Sequence, residues 1–220
     1  DRNVLRHSLV SSVFEILERN ARLKDRLTLF EIGPIFLASE DGDLPDEVDR
    51  LAIAITGPRA LPGWQGPDHS NMDFYDLKGI TDVLFEGLRI KGIRYVPAQV
   101  PIFHPGKCAR VLQGDCQLGV LGELHPQVSE HYEFAEAPVL VADLDIEALR
   151  DVVPAHHPVT RVSAYPPVYE DLAVIVDENI PAERVEAVIR DAGGEVLSEL
   201  HLFDVYRGEQ IGPGKKSLAY

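Results

Sequence analysis

Cysteine is nearly absent from this sequence, with Cys108 and Cys116 the two present among 220 residues. Two thiols cannot form the disulfide framework of a small secreted domain, so a reducing cytoplasm is the expected compartment. No stretch approaches the roughly 18–20 uncharged apolar residues of a membrane-spanning helix. The charged start at residues 1–6 is not followed by the apolar core of a signal peptide, and it lacks an initiator methionine, which predicts a processed or trimmed chain.

Positive charge is also scarce. The chain has 21 Lys and Arg against 36 Asp and Glu, a net charge of −15. Residues 151–220 hold six basic and twelve acidic residues, which gives that segment a net charge of −6. A surface this acidic repels a phosphate backbone. Any contact with a nucleic acid is therefore expected to be small and local.

The first two thirds of the chain read as a mixture of helices and antiparallel strands. Apolar spacing near 3.6 residues predicts a helix over 5–24, and alternation predicts strands over 27–37 and 51–57. Pro34 places a break, bulge or edge in the first strand, since proline cannot donate to a sheet. Residues 58–72, with the single Trp64, read as a long loop. Asp73 then suits the N-cap of a helix from Phe74 to about Leu88.

The next segment predicts a hairpin, a short helix, a further strand and a second short helix. Residues 109–113 and 116–124 flank Gly114-Asp115, which fits a two-residue turn. Pro126 opens a short helix, 138–144 is a strand, and 146–152 is a helical turn or two. The acidic run 40–47 reads as a solvated turn.

A different pattern follows a linker at residues 154–158. Strand 172–176, a helix from Pro181, strand 196–205 and a strand beginning at Ser217 give the order strand–helix–strand–strand. This is the first part of a split βαβ, ferredoxin-like unit. We expect that unit to be incomplete, because the sequence stops before a second helix and a fourth strand.

Four sets of motifs follow one another along the chain: Leu5–Leu9 with Leu29–Gly33; Phe74–Gly79; His104–Gly106 with Gly119–Pro126; and Asp171–Val174 with Leu202–Tyr206 and Lys215–Ala219. Each is weak alone, but their order and spacing cover nearly the whole chain. Together they resemble the β subunit of bacterial phenylalanyl-tRNA synthetase.

The resemblance implies a fold class and a division of the chain. The fold is α+β: a class II synthetase-like antiparallel sheet with flanking helices, followed by an incomplete ferredoxin-like domain. Residues 1–153 would form a catalytically inactive synthetase-like module that serves subunit assembly. Residues 154–220 would form the anticodon-binding domain, truncated at its C-terminus.

The resemblance also implies partners and chemistry for the parent assembly. Two α and two β subunits would form a heterotetramer that attaches phenylalanine to tRNA(Phe). The α subunit would bind ATP and magnesium, and no cofactor is expected in this chain. Two positions depart from the family pattern: Pro34 stands where a basic residue is usual, and Glu170 follows Tyr169 where arginine is usual. The second change places a negative charge beside the expected tRNA domain.

Catalytic and metal sites are not favoured by the residues themselves. A class II active site needs an arginine to hold the ATP α-phosphate, and strand 27–37 offers none, so a packed core strand is the simpler interpretation. Residues 119–122 lack the lysine and the strand–turn–helix setting of a phosphate loop, so these glycines predict close backbone packing. The four residues that could form a zinc set lack the usual paired spacing: His104, Cys108, Cys116 and His125. His156 and His157 read as linker.

Two sets of residues remain as binding candidates. Basic and aromatic side chains of the last segment could hold phosphates or stack on unpaired bases: Arg161, Tyr165, Arg207, Lys215 and Lys216. Aromatic residues in or beside loops of the first module could lie in a subunit interface: Trp64, Phe74, Tyr75 and Phe103. For each residue, turn solubility or core packing is the alternative.

Two other functions stay open from the sequence. A stand-alone scaffold or regulatory binding protein that reuses the synthetase module would account for the strong negative charge. A metal hydrolase built on the His and Cys residues is a third option, although the spacing does not favour it.

Overall fold

The structure is a computed structural model that describes residues 4–39, 42, 44–60, 63–64, 70–134, 137–156, 159 and 164–220. The chain divides into two compact units, Asp1–Pro158 and Val159–Tyr220. Every helix among the described residues is too short or too polar to cross a lipid bilayer.

The first unit is built on a six-stranded antiparallel sheet with the strand order β1-β2-β6-β5-β4-β3. Its helices are α1 (Val10–Ala21), α2 (Phe74–Gly87), α3 (Pro126–Ser129) and α4 (Ile146–Val152). Its strands are β1 (Leu27–Leu37), β2 (Asp46–Thr56), β3 (Ile93–Pro97), β4 (Phe103–Gln113), β5 (Cys116–Leu124) and β6 (Val139–Asp145).

Alternate residues of the strands enter two separate apolar cores, one on each face of the sheet. Along β2, Ala52 and Ala54 belong to the first core, whereas Ile53 and Ile55 belong to the second. Helix α1 brings Phe14 into the first core. Helices α2 and α4 supply Leu77, Phe85 and Leu149 to the second. The sheet is therefore the middle layer of this unit.

Strand β1 lies at one edge of the sheet, one of the three outcomes that Pro34 predicted. The backbone N–H of Phe36 donates to the carbonyl of Arg6 at 2.9 Å. The Arg6 side chain donates to the carbonyl of Pro34 at 2.8 Å and also pairs with Glu31. The N-terminal segment thus occupies backbone groups along the C-terminal half of this edge, which an uncovered strand would offer to another chain.

The start of α2 confirms the predicted N-cap. The Asp73 carboxylate accepts from the backbone N–H groups of Tyr75 and Asp76, and Asp76 accepts in return from the N–H of Asp73. This reciprocal arrangement is a capping box. Arg59 bonds both carboxylates at 3.0 Å and so ties the preceding loop to the helix.

Two glycines of β5 lie where another backbone passes closely, as predicted. A Cβ atom on Gly119 would lie 2.3 Å from the carbonyl oxygen of Asp143, and one on Gly122 would lie 2.8 Å from that of Lys107. Both distances are too short for a side chain, so these positions serve strand packing.

The second unit is a three-stranded antiparallel sheet with one helix. Its elements are β7 (Ala173–Asp177), α5 (Ala182–Gly193), β8 (Asp204–Tyr206) and β9 (Lys215–Ala219), with the strand order β7-β9-β8. Leu218, Tyr220 and Val185 form its small core. The strand–helix–strand–strand order with the last strand in the middle is the split βαβ pattern that the sequence predicted.

Several boundaries differ from the sequence prediction. Strand β2 begins at Asp46, inside the run predicted as a turn, because Asp46 pairs with Leu37 and extends the β1–β2 ladder. Helix α1 begins at Val10 rather than near residue 5. The predicted strand 196–205 is wrong over most of its length: a 3-10 turn, Gly194–Val196, follows α5, and β8 has three residues. Leu200 and Leu202 pack on the small core from an irregular segment instead.

Candidate functional site

The edge strand β1 exposes two large apolar side chains on one face. Phe30 and Ile32 are 74% and 60% exposed. They pair with Ile53 and Leu51, which are buried in the second core. Paired residues share a sheet face, so the second core stops at β2 and leaves the neighbouring part of β1 uncovered. The strand that the sequence predicted as packed core is packed on its other face alone.

The predicted interface aromatics divide into exposed and buried residues. Trp64 and Tyr75 are 93% and 75% exposed. Phe74 is half-buried at the margin of the second core, with its ring edge-on to Tyr75 at 5.8 Å between centroids. Phe103 is 2% exposed inside the first core, which leaves its ring no surface for a partner. Exposed aromatics of this kind are typical of interface cores.

A cleft of about 420 Å³ lies between the start of α2 and strands β3, β4 and β5. Its walls include Tyr75, Tyr95 and Cys108, and Lys107 and Glu123 form an ion pair of 2.6 Å beside it. Burial raises the pKa of the Cys108 thiol, so the sulfur stays protonated and is a poor nucleophile. These groups supply no nucleophile–base pair.

The side chains considered for zinc have separate structural surroundings. Cys108 belongs to the first core and Cys116 packs against the second, on the opposite sheet face. His104 accepts from the N–H of Gly106, and His125 caps α3 through the N–H of Gln127. Within the described part of the chain, no group of three or more His, Cys, Asp or Glu side chains is placed to hold a metal ion. His157 lies outside the described residues.

Three basic residues of the second unit lie where β7 ends and the β8–β9 connection turns, namely Arg207, Lys215 and Lys216. Arg207 donates hydrogen bonds to the Glu178 carboxylate from two nitrogens, from Nε at 3.0 Å and from Nη2 at 2.8 Å. Lys216 donates to the backbone carbonyl of Glu178 at 2.9 Å. Lys215 is exposed at the start of β9. Three of the five predicted RNA contacts are therefore brought together, while Arg161 lies outside the described residues.

The sheet face opposite to the small core carries exposed side chains in register. Ile175, Ser217 and Tyr206 are neighbours across β7, β9 and β8. Ile175 and Tyr206 are both exposed, and the predicted contact Tyr165 is exposed in the segment before β7. In the motif Leu202–Tyr206, Asp204 and Tyr206 lie on the sheet face opposite to Val205. Because this alternation is what a strand requires, we interpret the motif mainly as a signature of the fold.

Two family models match the chain. The model described as "Phenylalanyl tRNA synthetase beta chain CLM domain" matches residues 1–146. The model described as "Ferredoxin-fold anticodon binding domain" matches residues 163–220. The two matches cover both structural units.

Curated relatives align over the whole length. The sequence is 38% identical to the phenylalanine–tRNA ligase β subunit of Symbiobacterium thermophilum over 100% of the chain and 25% of that protein. It is 35% identical to the corresponding subunit of Bacillus subtilis over 100% of the chain and 27% of that protein. The chain thus spans about a quarter of the length of these relatives.

A solved structure shares the fold at low identity. Pyrrolysyl-tRNA synthetase of Desulfitobacterium hafniense aligns with a TM-score of 0.50 and 19% identity, covering 66% of this chain and 48% of that one. This likeness concerns the fold alone. With the family models, it confirms the predicted α+β class: a class II synthetase-like sheet followed by a ferredoxin-like domain.

Proposed function

The chain belongs to the phenylalanyl-tRNA synthetase β-subunit family, and from this premise we propose that it is an assembly and tRNA-contacting part of that ligase. The first part, residues 1–153, holds the α subunit. The second, residues 154–220, contacts the anticodon stem-loop. The parent complex, a heterotetramer of two α and two β subunits, attaches phenylalanine to tRNA(Phe) in the cytoplasm with ATP and magnesium.

We propose that this part of the subunit takes no direct role in catalysis. The support is that apolar clusters cover both faces of the inner strands of the sheet, β2, β6 and β5. Strand β1 ends in Ile35, Phe36 and Leu37, none of which can hold a phosphate. Arg6, which lies against β1, is bonded to Glu31 and Pro34. Calorimetry of this chain with ATP and with phenylalanine should give no binding heat; micromolar binding of either ligand contradicts the proposal.

The observation that carries the assembly role is the exposed pair on β1. Phe30 and Ile32 are large, adjacent on one face and open to solvent, although the neighbouring residues of β2 are buried. Contiguous exposed apolar patches on a folded protein mark interaction sites, and this pair forms the centre of such a patch in our proposal. We place the α subunit against this face of β1, with Trp64 and Tyr75 as further contact candidates.

Co-purification tests the assembly role. The double substitution Phe30→Ser with Ile32→Ser should reduce recovery of the α subunit with the complete β subunit at least about tenfold, since buried apolar anchors dominate interface energies. Val188→Ser, which removes a similarly exposed apolar side chain from α5, is the matched control and should change nothing. Unchanged recovery of the α subunit in the double variant excludes this face. Failure of the unsubstituted β subunit to bind the α subunit would favour the scaffold alternative.

The RNA role is supported by local positive charge. Arg207, Lys215 and Lys216 lie together at the β8–β9 turn of an otherwise acidic chain. Phosphate contacts supply affinity without sequence selection, and exposed tyrosines such as Tyr165 offer stacking surfaces for unpaired bases. We propose that this corner binds the backbone of the anticodon stem-loop.

A further inference from the structure

One carboxylate of the second unit faces the residues proposed to bind RNA. Glu178 follows directly on β7, and its oxygens accept from Nε and Nη2 of Arg207 at 2.8 to 3.1 Å. This is the forked geometry with which a guanidinium binds either a carboxylate or a phosphate. In the free chain, the carboxylate of Glu178 therefore occupies the donors of Arg207 with which a phosphate could also pair.

The backbone of Glu178 is anchored independently of its side chain. Its N–H donates to the carbonyl of Gly214 at 2.8 Å, and its own carbonyl accepts from Nζ of Lys216 at 2.9 Å. These two bonds join the end of β7 to the turn before β9 and to β9 itself. The turn therefore keeps its position when the side-chain charge is removed, and the carboxylate is not needed to hold the fold together.

The ion pair between Glu178 and Arg207 is open to exchange with solvent anions. About half of each side chain is exposed, and exposed pairs contribute little to stability because water competes for both charges. The hydrogen bonds from Arg207 hold the pKa of Glu178 below its ordinary value, so the carboxylate is charged at neutral pH. A charged, weakly held carboxylate is a competitor that a polyanion can displace.

We propose that Glu178 sets the affinity of this corner for RNA by competing with a backbone phosphate for Arg207. The inference rests on the proposed tRNA contact and adds a regulating residue to it. Glu178 does not touch the RNA. It occupies Arg207 in the free protein and is displaced on binding, so every binding event first breaks an intramolecular pair.

Removing the charge of Glu178 tests the proposal. Glu178→Gln keeps the shape and the backbone bonds, and it should tighten binding of tRNA(Phe) roughly two- to fivefold, the range expected for loss of a surface ion pair. Binding is measured by fluorescence anisotropy on the complete β subunit with its α subunit, at fixed ionic strength. Glu209→Gln, in the same turn, removes an equal charge and should have a smaller effect. The thermal midpoint should not change.

Repeating the substitution in protein that lacks Arg207 separates competition for Arg207 from the general effect of removing a negative charge near RNA. In Arg207→Gln protein, the further change Glu178→Gln should tighten binding no more than Glu209→Gln does. The inference is overturned if Glu178→Gln does not tighten binding while Arg207→Gln weakens it, and the RNA contact then still stands. Equal tightening by Glu178→Gln and Glu209→Gln also overturns it. If neither Arg207→Gln nor Lys215→Ala weakens binding, the RNA contact itself fails, and the inference fails with it.

Discussion

Gly119 and Gly122 allow strand β5 to lie close to its two neighbouring strands, because neither glycine has a side chain at the closest approach. At Gly119, an added Cβ would lie 2.3 Å from the carbonyl oxygen of Asp143 and 2.8 Å from Cα of Leu144, backbone atoms that cannot move without disturbing β6, and 2.7 Å from Cδ2 of Leu144. The constraint is steric, and it falls on one atom. A residue that the sequence could have suggested for phosphate binding therefore has a packing role.

The substitution Gly119→Ala should destabilise the first unit by at least about 2 kcal/mol, because a methyl group forced into a close-packed site strains the backbone. The thermal or urea unfolding midpoint measures the effect. Gly79→Ala is the control, since Gly79 lies in helix α2 with no atom within 4 Å of an added Cβ. That change should stabilise by up to about 1 kcal/mol. An unchanged midpoint in Gly119→Ala contradicts the packing argument.

Phe30 and Phe103 show where residue-level prediction ends. Both are phenylalanines in predominantly apolar strand or loop surroundings, yet Phe30 is exposed and Phe103 is buried. The alternation along β1 predicts that Phe30 and Ile35 lie on opposite faces of the sheet, but it does not predict which of the two faces a helix covers. That depends on where α1, α2 and α4 pack, which is a property of the assembled sheet. The exposed pair on β1 was therefore missed.

At the scale of elements, helix α2 owes its start to two carboxylates and one arginine. Burial alone would raise the pKa of Asp76, but the hydrogen bonds from Arg59 and from the backbone of Asp73 outweigh burial and hold that pKa below its ordinary value. A carboxyl with a lowered pKa stabilises the folded state above its unfolded pKa of about 4 and loses this contribution as the pH falls through the folded value.

The substitution Asp76→Asn should lower stability by about 1 kcal/mol at pH 7, as expected for damage to a helix cap. The difference from the unsubstituted protein should shrink as the pH falls below about 4 and the carboxyl of the unsubstituted protein becomes protonated. Thermal midpoints between neutral pH and the acid limit check this. Asp115→Asn, in the exposed β4–β5 turn, is the control and should leave the thermal midpoint at pH 7 unchanged. Parallel curves for Asp76→Asn and the unsubstituted protein contradict the assigned role.

Elements with their own local signals were predicted closely. Strand β1 and helix α2 match their predicted starts, because alternation and the Asp73 cap act within a few residues. The segment 196–205 carries β-favouring residues, but the strand that forms, β8, begins only at Asp204 and ends one residue beyond the segment, at Tyr206. There the small core takes Leu200 and Leu202 from irregular chain, and packing overrides propensity. Long-range packing is the part that local patterns do not encode.

Over the whole chain, the net charge of −15 limits how the proposed RNA contact can form. Each phosphate contact releases condensed counterions, so the dependence of affinity on salt counts the contacts. A corner with three basic residues should account for a slope of no more than about −2 in a plot of log affinity against log salt, with about −0.7 per contact.

Replacing Lys215 by alanine should reduce that slope by about 0.7 and weaken binding at low salt, since one phosphate contact is lost. Salt titrations of tRNA(Phe) binding by the complete β subunit with its α subunit measure both quantities. Lys91→Ala, at an exposed lysine of the first unit, is the control and should leave the slope unaltered. An unchanged slope in Lys215→Ala shows that this lysine does not meet a phosphate.

The way Arg6 lies against β1 decides how another protein can approach this edge. Arg6 occupies the carbonyl of Pro34 and the N–H of Phe36, and proline itself has no N–H to offer. A second chain therefore cannot add itself as a further strand along this half of the edge. Over residues 34–36 the strand cannot be extended through its backbone, and a protein that meets this edge just before them meets the exposed side chains of Phe30 and Ile32.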